Sequence, residues 1–188
     1  TEQALGFAVE QVRRNLPEFT EKFQKAYSGN NVYQPTENAD WTTGFWTGEI
    51  WLAYEYSHDE AFRAAGEIQM KSFLDRIERK IDVDHHDMGF LYSPSCVAGY
   101  KLTGSEIGRK AAIKAADQLI TRFHPVGNFI QAWGPMDEPE NYRLIIDCLL
   151  NLPLLYWASQ ETGDGKYRDI AEKHIHTALA NVIREDYS

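Results

Sequence analysis

Tyr56-Ser57-His58-Asp59-Glu60-Ala61-Phe62-Arg63-Ala64-Ala65 closes one helix-patterned segment and opens another. The same logic returns at Leu102-Thr103-Gly104-Ser105-Glu106-Ile107-Gly108-Arg109-Lys110-Ala111 and at Glu161-Thr162-Gly163-Asp164-Gly165-Lys166-Tyr167-Arg168-Asp169-Ile170-Ala171. Each copy has an aromatic-rich helix, a tight turn with a capping acid or serine, and a second helix with an arginine four residues after the cap. The copies are separated by about one helical hairpin and a loop, the period of a helical array. Long polar stretches, 81–89 and 124–140, recur at the other end of the hairpins. Short turns on one face and long loops on the other predict an all-α fold, an α/α toroid with its site on the long-loop face. An open solenoid is the alternative.

Outward from these turns, nearly every long segment has helical period. Helices are predicted over 2–28, from the Trp41–Gly48 stretch to about Ser57, and from the Asp59 cap to about Lys80. Further helices are predicted over 90–102, 106–123, 141–162 with a kink near Pro153, and 164–184. Ser28-Gly29-Asn30-Asn31 reads as a helix end, and 33–40 as irregular loop. Gly44 and Gly48, four apart, permit close backbone contact with a neighbour. Phe129-Ile130-Gln131-Ala132-Trp133 is the only strand candidate.

At 188 residues the chain is expected to form one domain or part of a larger one. A hydrophobic fraction of 43% supports a real core, and the net charge of −9 without a Lys/Arg cluster disfavours nucleic acid and anionic membranes. No run is long enough to span a bilayer, and Thr1-Glu2-Gln3-Ala4 does not open a basic region followed by an apolar run, so no signal peptide is expected. Two cysteines in apolar surroundings, Cys96 and Cys148, read as reduced core residues, as expected in the cytoplasm.

The most apolar run, Asn141-Tyr142-Arg143-Leu144-Ile145-Ile146-Asp147-Cys148-Leu149-Leu150-Asn151-Leu152-Pro153, carries one acid at its centre. Asp147 is expected mid-helix and buried, with a raised pKa suited to an acid and with Asn151 on the same face. A buried structural Asp is the plain alternative. Asp87, in His85-His86-Asp87-Met88-Gly89-Phe90, sits at a loop-to-helix junction on the long-loop face; alone it could be a capping acid. Two acids facing each other from different hairpins would split their pKa values into donor and anion. No metal is expected, because adjacent histidines diverge, no third ligand has a helpful spacing, and His174 and His176 do not share a face. Trp41 and Trp133, in the long loops, are candidates to stack on sugar rings. Trp46 is a weaker candidate, and Trp51 is expected in the core.

Asp40-Trp41-Thr42-Thr43-Gly44-Phe45-Trp46-Thr47-Gly48-Glu49, His85–Phe90 and Asn141–Asn151 together resemble the unsaturated glucuronyl hydrolases of glycoside hydrolase family 88. The resemblance implies an (α/α)6 barrel and a metal-free, cofactor-free bacterial cytoplasmic hydrolase. Its implied substrates are unsaturated uronic-acid disaccharides left by lyases acting on glycosaminoglycans. It implies Asp147 as the general acid and Asp87 as the second essential acid, with Trp41, His86 and Trp133 against the sugar. Arg143 and Asn151 lie beside these motifs and are further candidate substrate-binding residues. The related unsaturated rhamnogalacturonyl hydrolases are the alternative, as is an inactive carbohydrate-binding fragment; a helical scaffold is a third class. Family members are about twice as long. The chain is therefore expected to be an N-terminal portion of the toroid, weakly active alone and prone to self-association through exposed edges.

Overall fold

The computed structural model describes residues 2–186. Helix α1 (Glu2–Phe19) is followed by a hairpin of β1 (Phe23–Gly29) and β2 (Val32–Thr36), then α2 (Thr43–Ser57) and α3 (Glu60–Glu78). Next come α4 (Met88–Tyr92), a π-helical segment (Ser93–Val97), α5 (Ala98–Thr103) and α6 (Glu106–Ile120). A two-residue ladder of β3 (Phe123–His124) and β4 (Phe129–Ile130) leads through a 3-10 turn (Pro139–Asn141) and a 3-10 helix (Ile146–Asn151) into α7 (Pro153–Thr162) and α8 (Lys166–Val182).

The three repeated turns are the same object built three times. Ser57, Thr103 and Thr162 each donate their hydroxyl to the carbonyl four residues back, Ala53, Gly99 and Ala158. The same three oxygens then accept the N–H of Asp59, Ser105 and Asp164. Between them His58, Gly104 and Gly163 turn left-handed, at φ 55°, 73° and 74°. Asp59 accepts from the Ala61 N–H and Ser105 from the Gly108 N–H, while Asp164 accepts from the Lys166 N–H. The helices therefore pair as α2/α3, α4–α5/α6 and α7/α8, and α3 and α6 pack side by side, as do α6 and α7.

The repeated arginines do different work. Arg109 reaches Glu161 at 2.6 Å and ties the second turn to the third, whereas Arg63 pairs within its own helix with Glu60 and Glu67.

Glycine and alanine set how closely these helices approach. A Cβ on Gly44 would lie 2.3 Å from the Phe90 carbonyl oxygen, and one on Gly48 would lie 2.8 Å from Pro94 Cβ, so α2 presses against the α4–π segment. Ala111, Ala112, Ala115 and Ala116 on α6 are fully buried. Trp51 fills the centre, flanked by Gly66 and Gly99, where any Cβ would strike its ring. The π segment sits where Pro94, lacking an N–H, breaks the regular ladder and the Ser95 hydroxyl bonds Leu91 O instead.

Three expectations about elements are corrected. The helix expected over 2–28 ends at Phe19, and 23–36 is a hairpin that takes in part of the expected 33–40 loop. Its two-residue loop, Asn30-Asn31, has φ of 50° and 61°, the left-handed pair that a primed hairpin turn requires. The helix expected over 141–162 begins only at Pro153; Asp147 and Asn151 lie in the preceding 3-10 helix. Pro153 starts α7 rather than kinking it.

Candidate active site

Trp41 and Asp87 lie just before the N-terminal ends of α2 and α4, Asp147 lies in the 3-10 helix that precedes α7, and the long loops carry His86 and Trp133. All lie at the end of the molecule opposite the three tight turns. Gly89 brings two of these ends together: a Cβ there would lie 2.2 Å from Asn151 Cα, so α4 rests directly on the backbone of the 3-10 helix. Asn151 is buried and acts as the latch, its Oδ1 accepting the Phe90 N–H at 3.0 Å while its Nδ2 is left without a partner. The motifs around Gly44, Gly89 and Asp147 are thus stacked by glycines at two contacts.

The result is a compact group. His86 Nε2 lies 3.3 Å from Asp87 Oδ1 and 3.7 Å from Asp147 Oδ1, and His85 Nδ1 lies 3.2 Å from Asp87 Oδ2. Donor atoms of His86, Asp87 and Asp147 lie within 4.8 Å of one another, so the fold supplies the third group that sequence spacing does not. The contacts are close but are not hydrogen bonds: His86 Nε2 and Asp147 Oδ1 are both buried without a hydrogen-bond partner. Burial lowers the pKa of His86 despite both neighbouring carboxylates, so the ring is neutral near pH 7.

Asp147 differs from expectation. It is not buried in mid-helix: its side chain is 31% exposed, at the start of a helical run rather than within one. Its two oxygens are unequal, since Oδ1 is buried without a hydrogen-bond partner. Asp87, 15% exposed, immediately precedes α4 without capping it through its side chain.

Aromatic residues flank the acids. Trp41 is 46% exposed and packs edge-on against Phe45 and Phe90. Trp133 is 43% exposed, edge-on to His86, with the Arg143 guanidinium 5.3 Å above its ring. Arg143 also bonds Glu140 O and Asn141 Oδ1, so it braces the Trp133 platform. Trp46, weighed as a ligand contact, is in the core, its Nε1–H donating to Phe19 O.

The protein-family model described as Glycosyl Hydrolase Family 88 matches residues 15–185. The chain belongs to this family. The "Unsaturated chondroitin disaccharide hydrolase" of Streptococcus pneumoniae is 52% identical over 99% of the chain and 47% of its own length. The chain thus spans about half the length of the relatives it matches. The crystal structure of unsaturated glucuronyl hydrolase from Streptococcus agalactiae superposes with a TM-score of 0.97 at 46% identity, covering all of this chain and 47% of that one. An aspartate-to-asparagine mutant of the Streptococcus agalactiae enzyme, complexed with dGlcA-GalNAc6S, matches with a TM-score of 0.85 at 40% identity, over 98% of this chain and 44% of that one. These neighbours are α/α toroid enzymes, so the helical hairpins described above are part of such a toroid.

In this family 88 chain, sequence reading overlooked the residues that hold the loops. Buried Arg122 donates to Gln131 O, Gly134 O and Asp84. Gln131 Nε2–H groups reach the carbonyls of Trp133, Gly134 and Pro135, which shapes the turn behind the Trp133 platform. Buried Arg76 likewise donates to the carbonyls of Asp40, Ile81 and Asp82 and to Asn38 and Thr43, which fixes the loop bearing Trp41. A lone arginine in a helix-patterned segment carries no local sign that its guanidinium faces inward.

Proposed function

We propose that the protein of which this chain forms the catalytic domain, or half of it, hydrolyses unsaturated glucuronyl disaccharides derived from glycosaminoglycans. The observation that carries this reading is the pair of carboxylates, Asp87 and Asp147, brought from two hairpins to one cluster beside the His86 imidazole nitrogen. Such a substrate has a C4=C5 double bond conjugated with its ring oxygen. Asp147 donates a proton to C4, and the positive charge appears at C5, shared with the ring oxygen. Water adds at C5 and gives its proton to the Asp147 carboxylate, which is restored to the acid. The hemiketal opens, and the aglycone leaves with the hydroxyl proton. No carboxyl group protonates the glycosidic oxygen directly, so the spacing rules for ordinary glycosidases do not apply.

A sugar ring resting on Asp147 excludes water from its exposed oxygen. Asp87 accepts hydrogen bonds from sugar hydroxyls beside Asp147. Trp41 and Trp133 offer flat faces to the sugar. Arg143 supports Trp133 and adds a positive edge for an acidic substrate, and Asn151 fixes the backbone that carries Asp147. The proposed setting is the cytoplasm: both cysteines are free and buried, with Cys96 pushed up to about 12 by burial, so neither thiol is poised to react. Among the described residues, no helix is long and apolar enough to cross a membrane.

The test is loss of the ultraviolet absorbance of the conjugated double bond, followed with unsaturated chondroitin and hyaluronan disaccharides. Asp147→Asn is expected to reduce turnover at least ~100-fold while binding persists. Turnover within a few-fold of the parent protein would sink the assignment.

A further inference from the structure

His174 is buried on α8, 1% exposed, and lies outside the group of acids. Its Nδ1 accepts the backbone N–H of Ile130 at 2.8 Å, so in the neutral ring the proton sits on Nε2. That Nε2–H is buried and has no partner in the protein. Neither ring nitrogen of His86 has a hydrogen-bond partner in the protein; Nε2 faces the two carboxylates, and the buried Nδ1 faces away from them. The two residues are anchored on one edge of one extended segment. Ile130 N–H holds His174, and Ala132 O, two residues on, accepts the His86 N–H at 2.8 Å. Anchors two residues apart along a strand are separated by roughly 7 Å, within reach of two rings and one water. A charge on His86 also lowers the His174 pKa, as expected of near neighbours.

An unpaired buried donor and an unpaired buried acceptor each carry a desolvation cost, which a shared hydrogen bond removes. On its other side His86 Nε2 faces two carboxylate oxygens, so a lone pair there would be repelled and an N–H attracted. We propose that His174 is a positioning residue: its Nε2–H reaches His86 Nδ1 across one buried water, and so holds His86 with its Nε2–H turned toward Asp87 and Asp147. The catalytic meaning of this rests on the function proposed above, but the outcome that decides it is spectroscopic.

That test is the imidazole nitrogen spectrum of the whole, isotopically labelled protein. In the parent protein His86 is expected as one neutral tautomer, with a pyrrole-type Nε2 and a pyridine-type Nδ1. His174→Asn keeps an oxygen acceptor for the Ile130 N–H and removes the far donor. His86 is then expected to populate the Nδ1–H tautomer, and kcat to fall about 10-fold with KM little changed. His174→Gln, which can again offer a donor, is expected to restore the tautomer in part. A proton on His86 Nδ1 in the parent protein, or an unchanged His86 tautomer in His174→Asn, would overturn the proposal. If His174→Asn does not fold, the parent spectrum alone decides. Loss of the tautomer effect with Asp147→Asn still inactive would remove His174 from the site and leave the hydrolase reading standing.

Discussion

Gly89 shows how one missing side chain builds a site. Its Cα lies against the Asn151 backbone, and the nearest atom to an added Cβ is at 2.2 Å, so neither backbone can yield cheaply. Gly89→Ala is expected to cost roughly 1–3 kcal/mol, seen as a lower thermal midpoint, and to separate Asp87 from Asp147, seen as lost turnover. His174 makes a second residue-scale prediction. Burial lowers it from 6.5 to about 4, so between those values the unfolded chain binds a proton that the native protein does not. Stability is therefore complete above pH 6.5 and declines as pH falls toward 4, by up to about 3 kcal/mol. Denaturant midpoints measured from pH 7 to 4 are expected to fall steeply in the parent protein and less steeply in His174→Asn. His86, Asp87 and Asp147 were legible because each sits in a short unusual string of residues. His174 was not, because its partner Ile130 lies 44 residues away and nothing near it marks burial.

At the scale of elements, the three turns make a controlled comparison. Gly104 and Gly163 have open space around a would-be Cβ, so Gly104→Ala and Gly163→Ala pay only for a left-handed backbone, about 1 kcal/mol each. His58 already bears that strain at φ 55°, and His58→Gly is expected to stabilise the protein by up to ~1 kcal/mol. Chemical denaturation of the three variants reads these signs, and a destabilised His58→Gly would contradict the shared geometry. The repeat was readable because a left-handed turn and its cap need particular residues at fixed offsets. The β1–β2 hairpin was not: Phe23 to Gly29 contains Gln, Lys and Ala, which suit a helix, and Asn30-Asn31 serves as well for a helix end as for a hairpin turn. The same ambiguity misplaced Asp147, since Ile145 to Leu155 is apolar at every helical spacing and only Pro153 marks the true start of α7.

At the scale of the molecule, the apolar surfaces of α1 and α2 remain open. Leu5, Phe7, Leu52 and Tyr56 are exposed and line one groove between the two helices. Residues 1–188 prepared alone are expected to self-associate through that groove, and Leu52→Glu to shift sedimentation toward the monomer. Equal sedimentation of the two would place the contact elsewhere. The array of helical hairpins was legible from turn spacing, which left toroid and open solenoid both standing until the family resemblance favoured the toroid, whereas the way the long loops are held was not legible. Ile130 to Ala132 is bound along both margins, by His174, Arg143 and His86 on one side and Arg122 on the other. The segment that carries Trp133 is therefore a braced beam. Its amide hydrogens at 130–132 are expected to exchange with deuterium as slowly as those within a helix, while Val126, 97% exposed a few residues earlier, exchanges almost at once.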